Sequence, residues 1–221
     1  ERTMISRAVD FFNDEIYELR GEELLRIDAP TDATVSVHHD WLLIELRTDW
    51  DGHAAGSLLA SSYADFMSGE KNLVTVFRPD EGTSLHQYSW TRDKLVIVTL
   101  ADVVSRVQIV TPGAWTTTDL PGVPPNSNTV IAAADSYGDE IFLDSSGFVT
   151  PSQLLHGTPD GPVSPIKAAP GFFDTTGIEV SQHFATSADG TRIPYFTVGR
   201  PGSTGPTLLG GYGGFEVSRT P

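Results

Sequence analysis

Short runs of alternating polar and apolar residues recur along this chain about every ten residues, each closed by Gly, Pro, Asp or Asn. Glu15-Ile16-Tyr17-Glu18-Leu19-Arg20 is the first clear case, turned by Gly21 and continued by Glu23 to Ile27. Val35 to His38, Trp41 to Leu46, Gly56 to Tyr63 and Leu73 to Phe77 follow in the same style. Ser84 to Trp90 and Lys94 to Leu100 flank the turn Thr91-Arg92-Asp93, and Arg106 to Val110, Trp115 to Thr118, Asn128 to Ala134 and Glu140 to Leu143 extend the series. Segments this short cannot build helical layers, and only Tyr63 to Met67 suits a single helical turn or two. Many short strands at this spacing predict a sandwich, a barrel or a propeller. Grouped in fours they form units of roughly 45–50 residues, the size of a propeller blade, although no crisp sequence repeat marks the units.

Composition narrows the class. A chain of 221 residues can bury a real core, as one large domain or two small ones, and its 39% apolar content is that of a globular, soluble protein. The net charge of −15 argues against nucleic acid, whose phosphates need basic patches, and against an anionic membrane surface. With no cysteine, the chain holds no disulfide, no thiolate metal site and no cysteine nucleophile. No stretch approaches the roughly 18 apolar residues of a membrane span, and Glu1-Arg2-Thr3-Met4 is not a signal peptide. The expectation is a cytoplasmic parent protein from which this stretch is cut.

Composition shifts between Thr158 and Pro170, where Pro159, Gly161, Pro162, Pro165 and Pro170 crowd together, so a boundary or crossing segment is expected there. Beyond it, Ile178 to Ala185 and Ile193 to Val198 flank Ser187-Ala188-Asp189-Gly190-Thr191, a strong hairpin signal. The run Thr207-Leu208-Leu209 is apolar on both faces, as a central strand of a covered sheet would be. It enters Gly210-Gly211-Tyr212-Gly213-Gly214-Phe215, four glycines around one tyrosine. Glycine permits close approach of another group, so the cluster reads either as a site presenting the Tyr212 phenol or as a tight turn with packed aromatics. Spacing alone does not choose between them.

The other candidates are bland. No G-x-S-x-G nucleophile elbow occurs in these residues. His38 and His39 are adjacent, so on a strand they would point to opposite faces and share no metal. His53, His86, His156 and His183 lack ligand spacing, and each reads as a solvated or structural histidine. Asp49-x-Asp51-Gly52 is a fragment of a calcium loop without the later acidic ligands, so no metal and no cofactor are expected. Glu22-Glu23 and Asp139-Glu140 read as solvated charge pairs, and Arg20, Arg26, Arg47, Arg92, Arg106 and Arg192 as members of surface ion pairs.

Phe184-Ala185-Thr186-Ser187-x-Asp189-Gly190-Thr191-x-Ile193-Pro194, followed by a Pro-led apolar run into Gly211-Tyr212-Gly213-Gly214-Phe215, closely resembles the prolyl oligopeptidase family of serine peptidases. Leu85-His86-x-Tyr88-Ser89-Trp90-Thr91-Arg92-Asp93-Lys94-Leu95 and Phe172-Phe173-Asp174 are similar to its bacterial members. The resemblance covers essentially the whole chain and is sharpest in its last 45 residues or so. It implies a mainly β fold: residues 1–165 as part of a seven-bladed β-propeller, and 166–221 as a crossing segment and the first strands of an α/β-hydrolase domain. It implies cleavage of short peptides, often after proline, with the Tyr212 hydroxyl donating to the oxyanion and Gly211, Gly213 and Gly214 supporting its loop. The Ser, Asp and His triad of such enzymes matches nothing here, so the chain alone is expected to be an inactive fragment needing the remainder of its parent. Three to four blades are too few to close a ring. The rival expectations are a non-catalytic propeller-type binding module and a hydrolase of esters or acylated peptides.

Overall fold

The computed structural model describes residues 2–212 and 218–221. Its residues fall into two compact units, Glu1–Leu85 with Pro112–Trp115, and His86–Thr111 with Thr116–Pro221. Nearly all regular structure is antiparallel β, in successive meanders of blade size.

The first unit begins with β1 (Thr3–Ala8), β2 (Asp14–Arg20) and β3 (Glu23–Arg26), paired in that order. A four-stranded sheet follows in chain order: β4 (Thr34–His38), β5 (Trp41–Glu45), β6 (Leu58–Ser62) and β7 (Val74–Phe77). Leu42, Leu43 and Ile44 of β5 are all buried, because a strand inside its sheet and covered on both faces needs a continuous apolar run. The helix α1 (Tyr63–Ser68) leaves β6 where Ser62 accepts from the Asp65 amide, and Gly69, at φ 94°, ends it by donating to the Asp65 and Phe66 carbonyls. Tyr63 and Phe66 of α1 join Ile27, Leu42, Ile44 and Leu59 in one core.

A carboxylate sits at the margin of that core. Glu18 is 6% exposed; it accepts from the Tyr63 hydroxyl at 2.9 Å and from Arg20 Nη2 at 2.6 Å, and Arg2 Nε lies 3.8 Å away. Burial alone would raise its pKa, but the Tyr63 and Arg20 hydrogen bonds and the two arginine charges outweigh that and hold it below the usual glutamate value. Burial and the Glu18 hydrogen bond push the Tyr63 phenol up to about 12. A carboxyl depressed on folding contributes stability that is fully present above its unfolded value, 4.5, and is lost as pH falls through the folded value. Replacing Glu18 by Gln should flatten the acid limb of the stability–pH curve, measured by urea midpoints between pH 7 and pH 3; an unchanged limb would remove Glu18 from the titration.

In the second unit β8 (Thr83–Trp90), β9 (Leu95–Ala101), β10 (Val104–Thr111) and β11 (Thr116–Asp119) form one sheet. A second contains β12 (Asn128–Ala134), β13 (Ile141–Ser146), β14 (Gln153–Gly157) and β15 (Ser164–Ala168). The two sheets share a core of Val96, Val98, Val107 and Ile109 against Ile131, Ile141, Leu143 and Leu155. Gln87 stitches them together: its side-chain amide donates to the Ile131 carbonyl at 3.0 Å and accepts from the Ile131 amide at 2.8 Å. Beside this, Ser127, Thr129 and Ser145 form a buried row of hydroxyls at 2.8–2.9 Å, and Ser105 accepts from the Thr129 amide. The hairpin β16 (Glu179–Thr186) and β17 (Arg192–Gly199) comes last.

Gly122 fixes the path between the sheets. It adopts φ +88°, and a Cβ there would stand 2.1 Å from the Val163 carbonyl oxygen, whereas Gly52 at φ +79° has open space around it. Gly52→Ala should therefore cost about 1–2 kcal/mol, the backbone term alone. Gly122→Ala adds a clash with backbone that cannot rotate away and should cost ~2–4 kcal/mol in thermal or urea unfolding. Equal losses in the two variants would rule out the crowding argument.

Most strands and the helix lie where the residues place them; three strands do not advertise themselves. Thr3–Ala8 has no clean alternation, and Gln153–Gly157 is short. Ser164–Ala168 lies inside the Pro-rich stretch expected to be a boundary or crossing segment. Pro165 lies in an edge strand, where proline is tolerated because only one side of the strand is laddered, and the register slips at Leu154/Leu155 beside it. Two expectations are corrected. Thr207-Leu208-Leu209 is not a strand: Leu208 and Leu209 are 96% and 93% exposed, and an apolar run becomes a central strand only between two partner strands, which the described residues do not supply there. His38 and His39 do not splay to opposite faces. His39 turns at φ 49°, which breaks the strand alternation and brings the two rings to 4.1 Å.

Candidate functional site

The residues that could act on a ligand lie on and after the last hairpin. Ser187 to Thr191 forms the turn, as Asp-Gly foretells: Gly190 has φ 89°, and the Ser187 amide donates to the Thr191 carbonyl at 2.9 Å. Asp189 accepts from the Ser187 hydroxyl and from the Thr191 amide, and these bonds hold its carboxyl down at about 2. Arg192, expected in an ion pair, instead lies 3.5 Å over the Phe184 ring. Arg20 pairs with Glu18, Arg26 with Glu15 at 3.6 Å, and Arg92 with Asp93 and Asp139.

The hairpin's two faces do different things. Gln182 and Phe196 are cross-strand partners on one face; His183 and Tyr195 are partners on the other, with stacked rings at 5.4 Å and His183 Nε2 3.2 Å from Thr197 Oγ1. A cavity of about 620 Å³ opens between β16–β17 and the segment that follows, lined among others by Ser181, Tyr195, Thr197, Arg200, Leu208 and Leu209. Of these, Ser181, Tyr195 and Thr197 carry no motif in the sequence, and their every-second-residue spacing on the hairpin is the usable signal.

Tyr212 stands three residues beyond the last lining residue, 53% exposed. Among the described residues its hydroxyl has no hydrogen-bond partner. Gly210 and Gly211 lead into it with nothing within 4 Å of where a Cβ would be, and neither takes a positive φ. Gly213 and Gly214 lie outside the described residues. A phenol presented this way is a neutral hydrogen-bond donor, suited to an oxygen that gains negative charge.

Among the described residues no other cluster competes for chemistry. His53 Nδ1 lies 3.1 Å from Thr75 Oγ1, and His156 Nε2 lies 3.6 Å from Glu140, but neither forms the nucleophile–base–acid chain of covalent catalysis. Among the described residues no three His, Asp or Glu side chains gather as metal ligands, and no helix is long and apolar enough to cross a membrane.

Blade-sized antiparallel sheets in series, followed by a hairpin, define a propeller-type β chain. Comparison with known proteins makes this specific. No family model matches the chain. An uncharacterized peptidase of Sinorhizobium fredii is 31% identical over 97% of this chain, and an uncharacterized peptidase of Rickettsia prowazekii is 30% identical over 98%. A post-proline cleaving enzyme from Rickettsia typhi superimposes with a TM-score of 0.74, at 26% identity, over 91% of this chain and 31% of its own. Oligopeptidase B from Leishmania major shares the fold, with a TM-score of 0.65 at 15% identity over 86% of this chain and 29% of its own. The chain resembles the prolyl oligopeptidase family of peptidases over essentially its full length, and it spans 32% of the curated relatives it matches.

Proposed function

We propose that these residues are part of a serine peptidase of the prolyl oligopeptidase type, which cleaves short peptides, often after proline, by acyl transfer. Residues 1–165 belong to its propeller, with the last blade strand running on to Ala168, and the rest to the opening of its α/β-hydrolase domain. In this reading the Tyr212 hydroxyl donates to the oxyanion of the tetrahedral intermediate, and the loop of Gly211, Gly213 and Gly214 lets the scissile carbonyl come close. The serine nucleophile, its histidine base and the orienting acid come from outside these residues, so the chain taken alone has no peptidase activity. No metal or cofactor enters the chemistry, and the parent works in the cytoplasm. The observation that carries the reading is near-complete coverage of this chain by two peptidases at 30% and 31% identity.

The test uses the whole parent protein and, separately, residues 1–221. The parent should be labelled by a fluorophosphonate probe and should hydrolyse a short peptide after proline, while residues 1–221 should do neither. A parent that is not labelled and cleaves no peptide would leave a propeller-type binding module in its place. Labelling with turnover of esters but not peptides would move the substrate class and keep the scaffold.

A further inference from the structure

The turn between β9 and β10 has two residues, Asp102 and Val103, at φ 49° and 63°. Two-residue hairpins of this kind need positive φ at both positions and favour Asn, Asp or Gly there. A β-branched residue in that region is a genuine outlier, and such strain persists only where surrounding contacts over-determine it. One such contact comes from 80 residues away: Gln182 Nε2 of β16 donates to the Asp102 carbonyl at 2.6 Å. Its cross-strand partner Phe196 reaches Phe148, in the loop between β13 and β14, with ring centroids 5.2 Å apart. One face of the final hairpin is thus held at two points, each on the turn of a different blade-sized sheet.

We propose that Gln182 and Phe196 form a latch that docks the final hairpin onto the Asp102–Val103 turn and the Phe148 loop, so that turn and hairpin open and close as one unit. The strained Val103 is the reason for the coupling. A turn that is costly to hold relaxes once the bond to its carbonyl is lost, and the hairpin loses its polar anchor in the same step. The latch stands on these contacts alone and does not depend on the peptidase reading, because its test reads no activity.

The test is amide hydrogen exchange in the whole parent protein carrying Q182E or Q182K. A carboxylate cannot donate to the Asp102 carbonyl, whereas a lysine ammonium of similar reach can. In Q182E, peptides covering 101–104 and β16–β17 should both exchange about fivefold faster, the effect of one lost hydrogen bond, with β12 and β13 unchanged. Q182K should restore both. Faster exchange in the hairpin with none at 101–104, or no change in either, overturns the latch. Should Q182E fail to fold, F148A releases the second point from a side chain that is already 39% exposed, and the loop at 147–150 and β17 must then loosen together or the proposal falls.

Discussion

Replacing Tyr212 by Phe in the complete protein should lower kcat by about 10²-fold, with KM changed little. The variant keeps the ring and removes one hydroxyl, so packing survives and only the donor is lost. An oxyanion donor acts where charge develops, and its loss therefore falls on the transition state more than on substrate binding. Tyr212 suits that role because it is half exposed and its hydroxyl is unengaged among the described residues. The rival reading, an aromatic packed into a tight turn, predicts the reverse: Tyr212→Phe would turn over at nearly the parent rate, and Tyr212→Ala would lower the melting temperature. Steady-state kinetics of the two variants beside their unfolding midpoints separates the readings, and a Tyr212→Phe enzyme with full kcat would sink the oxyanion assignment.

The largest expected effect on stability is at Leu143. It is fully buried in β13, which runs between β12 and β14, and it belongs to the core shared by two sheets. Leu143→Ala removes three carbons from a site where a ladder on either side limits collapse, so ~2–5 kcal/mol is expected from lost burial plus the residual cavity. At roughly 2–4 °C per kcal/mol for a chain of this length, the melting temperature should fall by about 5–15 °C. Leu24→Ala is the control: Leu24 is 51% exposed in the edge strand β3, and a change there should stay within about 0.5 kcal/mol. If Leu143→Ala costs no more than Leu24→Ala, the two sheets do not share the core described above.

Much of the β framework is legible in the residues because the patterns that mark its strands and turns are local. Trp41 to Leu46 has enough consecutive apolar side chains to be buried on both faces, and Asp189-Gly190 has the backbone freedom its turn requires. The short helix was legible for the same reason, since its Ser62 cap and Gly69 terminator lie within a few residues of it. Where the signal is not local, the sequence misleads or is silent. Pro165 reads as a strand breaker, yet it is accommodated once β15 is known to be an edge. Leu208 and Leu209 read as a buried strand, but burial needs neighbours that no local pattern can promise. The histidine pair at 38 and 39 depends on one dihedral angle at the end of β4.

Of the candidate site, the sequence by itself determined the residue types: a tyrosine among glycines after an Asp-Gly hairpin, carried by a resemblance that pattern physics could not supply. It also settled that these residues hold no cysteine chemistry and no nucleophile elbow. Only the tertiary structure decided which distant groups meet. Glu18 with Tyr63, Gln87 with Ile131 and Gln182 with Asp102 are separated by 45, 44 and 80 residues. The physical reason is common to all three. A polar side chain is compatible with many positions in a sequence, and the one it must occupy is fixed by the unpaired donor or acceptor that folding brings opposite it.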